Sequence, residues 1–195
     1  MIALLKVYSV PFCVSIICLG LMFVPDTVES YFSFQRREII EGEWWRLLAA
    51  NFFHLNAMHL FLNILGVVGV WFVFSNVVSP FWQIVFLLSG MLSNTLFVLL
   101  FQPSIQSFVG LSGALHGVFV AYCIVEFTGN KWLSVVGLAG VTGKIMMEQL
   151  GLSGQYVEHL ILGKVIVNAH LGGAIGGMVV GIFYQASVIL AEGRN

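Results

Sequence analysis

Six long apolar runs, parted only by short polar or turn-forming stretches, decide what this chain can become. They cover residues 7–24, 47–74, 81–101, 112–127, 132–147 and 165–190. A helix needs about 20 apolar residues to cross the hydrocarbon layer, so the fourth and fifth runs are short and the second and sixth long. Only 9% of the 195 residues are charged, against about 25% in soluble domains, too few to cover a water-facing surface. The expected fold is all-α: a polytopic bundle of six transmembrane helices forming a single membrane domain over 1–195, with no separate soluble domain. The lipid bilayer is then an obligatory partner.

Several classes drop out early. A net charge of −1 with no basic run gives nucleic acid nothing to bind. Cys13, Cys18 and Cys123 are odd in number and sit in apolar runs, so they read as packing residues rather than a disulfide framework. The first run follows Lys6 like a signal peptide, but no small-residue cleavage site precedes Pro25, so it is expected to be retained. The sequence contains neither an internal repeat nor a low-complexity tract.

The connections are uneven. Residues 25–46 hold the densest charge in the chain together with Tyr31, Phe32, Phe34, Trp44 and Trp45, a mixture suited to the membrane interface. Residues 102–110 are polar, and 147–164 carry Gly151, Gly154 and Gly163. With the N-terminus inside, Lys6, Lys131 and Arg194 fall on the inner side, and Arg36, Arg37, Arg46, Lys144 and Lys164 on the outer. That count leans against an N-in orientation.

Alternation is more informative. Runs two, four and six must enter the bilayer from one face, and their polar residues lie in their first halves. His54, His59 and Asn63 belong to the second, Ser112 and His116 to the fourth, and His170 to the sixth. At ~1.5 Å of rise per residue these groups share one depth. Ionisable residues in membrane spans are rare and usually face the protein interior or a cavity. Gly173, Gly177 and Gly181 form a small-residue stripe on the face of His170, and Gly113, Gly117 and Ala121 form one beside Ser112. Such stripes let helix backbones approach closely. If they mate, Ser112 meets His170, and a serine beside a base is an activated nucleophile. No acidic residue is apparent near the motifs, so a dyad is expected, with packing or a backbone carbonyl setting the histidine tautomer.

Taken together, Gly110-Leu111-Ser112-Gly113, Ala169-His170 followed by Gly173 and Gly177, the trio His54, His59 and Asn63, and Trp45-Arg46 resemble the rhomboid intramembrane serine proteases, in particular the short six-span bacterial GlpG type. The resemblance covers nearly the whole chain. It implies that Ser112 is the nucleophile and His170 the general base. It also implies an oxyanion hole of His59, Asn63 and the Ser112 backbone N–H, with no metal or cofactor. The substrates implied are transmembrane proteins carrying a small residue before the cut and helix-destabilising residues after it. The implied location is the bacterial inner membrane, with both termini cytoplasmic and the site opening toward the periplasm, against the charge count.

His116 departs from the pattern: tyrosine is usual there, stacked on the catalytic histidine. A ring of either kind can stack, but His116 also offers a rival base. Each site residue has a plainer reading too. Ser112 can cap the fourth helix; His59 and Asn63 can bond a neighbouring helix; His54 can tie the first loop to the second span; Trp45-Arg46 can anchor that loop at the interface. The competing function is a haem-binding membrane anchor subunit, with axial ligands among His54, His59, His116 and His170. A zinc protease lacks its HExxH motif, and a transporter lacks a repeat or a buried acidic pair.

Overall fold

A computed structural model describes residues 8–74 and 77–192; Val7, Lys6 and Arg194, used above for the first span and the charge count, lie outside them. In chain order, α1 (Ser9–Leu21) is followed by α2 (Asp26–Phe32), β1 (Phe34–Gln35), α3 (Arg36–Ile40), α4 (Arg46–Ala49) and a 3-10 turn (Ala50–Phe52). Next come α5 (Ala57–Phe74), α6 (Pro80–Phe101), β2 (Ser107–Phe108), α7 (Ser112–Val125), α8 (Lys131–Gln149), α9 (Gln155–Ile161) and α10 (Val167–Glu192). The protein is an all-α polytopic membrane protein, and each of its six apolar runs holds one principal helix among the described residues. Helices α5, α6 and α10 are long and apolar enough to cross a membrane, α1 and α7 are shorter apolar helices, and α8 carries Lys131, Lys144 and Glu148 among its 19 residues.

The second run is not one helix. Asn51 donates to the carbonyls of Leu47 and Leu48, and the chain breaks after Phe52. Asn56 then accepts from the His59 N–H at 2.8 Å, the side-chain cap that restarts a helix at Ala57. His54 therefore lies in the turn before α5 and not on a span. This break keeps α5 to 18 residues, a rise of ~27 Å, close to the hydrocarbon thickness.

Helix α7 is the hub. The glycine stripes of α7 and α10 mate in register: a Cβ on Gly173 would overlap the Gly113 carbonyl, one on Gly177 would overlap the Gly117 carbonyl, and one on Gly181 would crowd Ala121. Against the other faces of α7 pack Trp71 and Phe74 of α5 and Phe86 and Met91 of α6, with Tyr122 fully buried among them. Trp71 Nε1 donates to Gln83 Oε1 at 2.8 Å, so this polar pair is satisfied inside the bundle. Helix α8 leans on α7 and α10 and hardly touches α5.

Three connections gather on one face. Phe34 pairs with Phe108, and Gln35 with Ser107, in a short antiparallel ladder between the 25–46 and 102–110 connections. Arg36 donates to the carbonyls of Val98, Leu99 and Gln102 at 2.7 Å and of Ile105 at 2.9 Å. A cation there satisfies the orphan carbonyls at the C-terminus of α6 and matches the helix dipole. Arg46, 4% exposed, donates to Glu43 and to the carbonyls of Ser30 and Ser33. It organises the first loop from inside, while Trp45 stays partly exposed.

Candidate active site

The segment 102–111 delivers Ser112. Arg36 and the ladder hold its outer part, and the Gly110 N–H donates to the Ala50 carbonyl at 3.1 Å. Gly110 has φ 130°, a conformation L side chains avoid. A Cβ there would also lie 2.8 Å from His59 Nε2, so only glycine passes this ring. Helix α7 has 14 residues and rises ~21 Å, short of the ~30 Å of hydrocarbon.

The N-cap position of α7 falls on Leu111, and Ser112 is the first residue of the helix. Its Oγ lies 2.9 Å from His170 Nε2. His170, 5% exposed, sits in the first turn of α10. Its other nitrogen, Nδ1, lies 2.8 Å from Glu148 Oε2. An ionised carboxylate can only accept, so Nδ1 carries the hydrogen and Nε2 turns its lone pair to the serine hydroxyl.

The glutamate corrects the expectation that no acidic residue lies near the motifs. Residue 148 reads in sequence as the start of a loop, but α8 continues to Gln149 and turns Glu148 inward, where it is 7% exposed. Lys144, one turn earlier, ion-pairs with Oε1 of Glu148. The available signal was the i,i+4 Lys-Glu pair at the end of an apolar run, since an acid there needs a partner.

His116 keeps the stacking place. Its ring lies 4.2 Å from that of His170 at 15°, and its Nδ1 is 2.7 Å from the Ser112 carbonyl. A carbonyl only accepts, so His116 Nδ1 is a donor there.

His59 and Asn63 line the same cavity as Ser112 and His170, as do Gly110 and Gly113. His59 Nδ1 accepts from the Leu55 N–H at 3.3 Å, which leaves the proton of the neutral ring on Nε2, beside Gly110. Asn63 donates one amide hydrogen to the His59 carbonyl at 3.0 Å and has a second to offer. His54 packs edge-on to His59 with ring centroids 5.0 Å apart, and neither of its nitrogens completes a hydrogen bond. Burial, followed by the neighbouring His59, pushes its pKa down to about 3. It stands in the turn that leads from the first loop into α5, packed against the His59 ring.

The cavity measures about 1190 Å³. Its walls are α5, residues 104–110, the C-terminal half of α8, α9 and the approach to α10. A second space of about 440 Å³, lined by Val70, Leu115, Phe119, Val136 and Gly140, shares Leu115, His116, Gly140 and Lys144 with it. The site cavity and an apolar gap between α5 and α8 thus lie side by side, with these four residues in both walls.

His116, Glu148 and His170 bring donor atoms within 4.8 Å of one another. The two imidazoles are stacked, so their lone pairs run in parallel planes and do not converge on one ion as a tetrahedral site requires. Both nitrogens of His170 are engaged already. The haem reading finds no support in this geometry: His54 pairs with His59, and His116 with His170, as ring neighbours and not as opposed axial ligands.

Residues 41–187 match the Rhomboid domain family. Over 168 residues the chain is 24% identical to a protein described as Rhomboid protease GluP from Bacillus subtilis, a match covering 86% of this chain and 30% of that one. The chain therefore spans less than a third of the length of this relative.

Proposed function

Since the chain belongs to the rhomboid family, we propose that it is an intramembrane serine endopeptidase that hydrolyses a peptide bond in or near the transmembrane segment of another membrane protein. The observation that carries this reading is the 2.9 Å approach of Ser112 Oγ to His170 Nε2 at the wall of a large cavity set within a bundle of apolar helices.

The Ser112 hydroxyl gives its proton to His170 Nε2 as Oγ bonds to the substrate carbonyl carbon, and the carbonyl π pair moves to oxygen. The oxyanion forms where His59 Nε2–H, the Asn63 amide and the Ser112 N–H can donate. As the first residue of α7, Ser112 has no intrahelical partner for its N–H. Donors fixed in a low-dielectric site act on charge that appears only in the transition state. His170 then protonates the leaving amine as the C–N bond breaks. Water, deprotonated by the same nitrogen, cleaves the acyl-enzyme.

Substrates are transmembrane segments that unwind locally, with a small residue before the scissile bond, because an intact helix shields its carbonyls. The enzyme sits in the bacterial inner membrane with both chain ends cytoplasmic. Its cavity then opens toward the periplasm. The test is cleavage of a fluorescent transmembrane peptide in proteoliposomes, together with labelling by a fluorophosphonate. Ser112→Ala and His170→Ala are expected to abolish both while remaining folded. Cleavage near wild-type rate in Ser112→Ala would sink the reading. Activity surviving His170→Ala but lost in His116→Ala would move the base onto α7.

A further inference from the structure

We propose that Glu148 is a positioning residue for His170, so that the reaction runs on a Ser112–His170–Glu148 relay and not on a dyad. This rests on the proteolytic reading above.

Three observations carry it. Glu148 Oε2 stands 2.8 Å from His170 Nδ1 while Ser112 occupies Nε2, so the three groups lie in line across α8, α10 and α7. Glu148 is almost wholly buried, and a carboxylate is placed in a membrane interior only where partners compensate it. It has two: Lys144 on Oε1 and the imidazole on Oε2. A plain i,i+4 surface pair on α8 accounts for Oε1 alone. The second oxygen, aimed across the helix interface, needs the other explanation.

The chemistry follows from which atoms are held. When Ser112 attacks, its proton goes to His170 Nε2 and the ring becomes an imidazolium. Its Nδ1 hydrogen stays on Nδ1, donated to a carboxylate that remains ionised. Glu148 thus keeps the tautomer correct before attack and stabilises the cation during it. His116 fixes the same ring from its face by stacking at 4.2 Å, and Glu148 fixes it from its edge. Together they remove both rotations that would carry Nε2 away from Oγ.

The experiment measures kcat and KM of the full chain in proteoliposomes for the wild type, Glu148→Gln and Glu148→Asp, alongside Ser112→Ala. Glu148→Gln is expected to lower kcat by about 10²-fold or more with KM little changed, as when the acid of a soluble triad is replaced. Phosphonylation of Ser112 should slow in parallel. Glu148→Asp, which keeps the charge on a shorter arm, should recover part of kcat. In the wild type, proton–nitrogen correlation spectra should show His170 protonated at Nδ1 with a far-downfield resonance that Glu148→Gln loses. Wild-type kcat in Glu148→Gln, or a loss confined to KM or to the unfolding temperature, overturns the proposal. If Glu148→Gln does not fold, the wild-type spectrum decides: a proton on Nδ1 supports the relay and an unprotonated Nδ1 overturns it. Cleavage that persists in Ser112→Ala defeats the protease reading itself, whereas Ser112-dependent cleavage indifferent to Glu148→Gln defeats only this one.

Discussion

Single residues in this site are restrained by what surrounds them more than by their own chemistry. His59 is the clearest case. The Leu55 N–H on Nδ1 leaves Nε2 as the donor, and the absence of a side chain at Gly110 gives that donor room. Asn63, one turn along α5, holds one amide hydrogen on the His59 carbonyl and so keeps its second directed by its own helix. Both are therefore predicted to act on the transition state. His59→Ala and Asn63→Ala should each lower kcat with little change in KM, by about 10²–10³ for a fully used oxyanion donor. Steady-state kinetics on a transmembrane peptide check this, and a pure KM effect in both variants would recast them as substrate-positioning residues.

Among the elements, the α7–α10 interface decides whether Ser112 and His170 meet at all. Neither residue controls that distance; the backbones do, through three small-residue contacts in register at Gly113–Gly173, Gly117–Gly177 and Ala121–Gly181. A methyl group on Gly173 has no room against the Gly113 carbonyl, one residue after Ser112. Gly173→Ala should force the helices apart, destabilise the fold by about 1–3 kcal/mol and slow fluorophosphonate labelling of Ser112. Thermal unfolding in detergent and the labelling rate measure the two effects separately. An unfolding temperature and labelling rate both at wild-type values would mean that the interface tolerates displacement and that something else sets the 2.9 Å approach.

For the whole molecule the question is entry. Most of the bundle is closed by glycine-mediated contacts around α7, yet α5 and α8 hardly touch, and an apolar gap between them borders the site cavity through four shared wall residues. Outside, α9 and the turn after it lie over the start of α5: a Cβ on Gly163 would meet the Leu55 side chain at 2.5 Å. A transmembrane substrate arriving through this side has to move α9 and α8 away from α5, the kind of loosely packed element that opens most readily. Joining Leu55→Cys to Gly163→Cys with a short cleavable thiol cross-linker, in a background lacking the exposed Cys13, should slow cleavage of a transmembrane peptide and recover on release. An unchanged rate with the cross-link verified would send the substrate past the 25–46 loop instead.

Hydropathy and residue spacing were enough to read the all-α membrane fold, because it follows from local periodicity in a solvent that forbids most alternatives, and they offered two glycine stripes whose mating only the tertiary structure decided. The break before α5 was legible only in part: apolar residues continue through 47–74, and the cap at Asn56 shows itself by its hydrogen bond and not by composition. Glu148 was not legible as a neighbour of His170. Twenty-two positions separate them, and the contact depends on where α8 ends and how it leans on α10. A carboxylate near the end of an apolar run looks the same in sequence whether it faces water or an imidazole; the direction in which it points is set by helix packing, and packing is a property of pairs of helices rather than of either one.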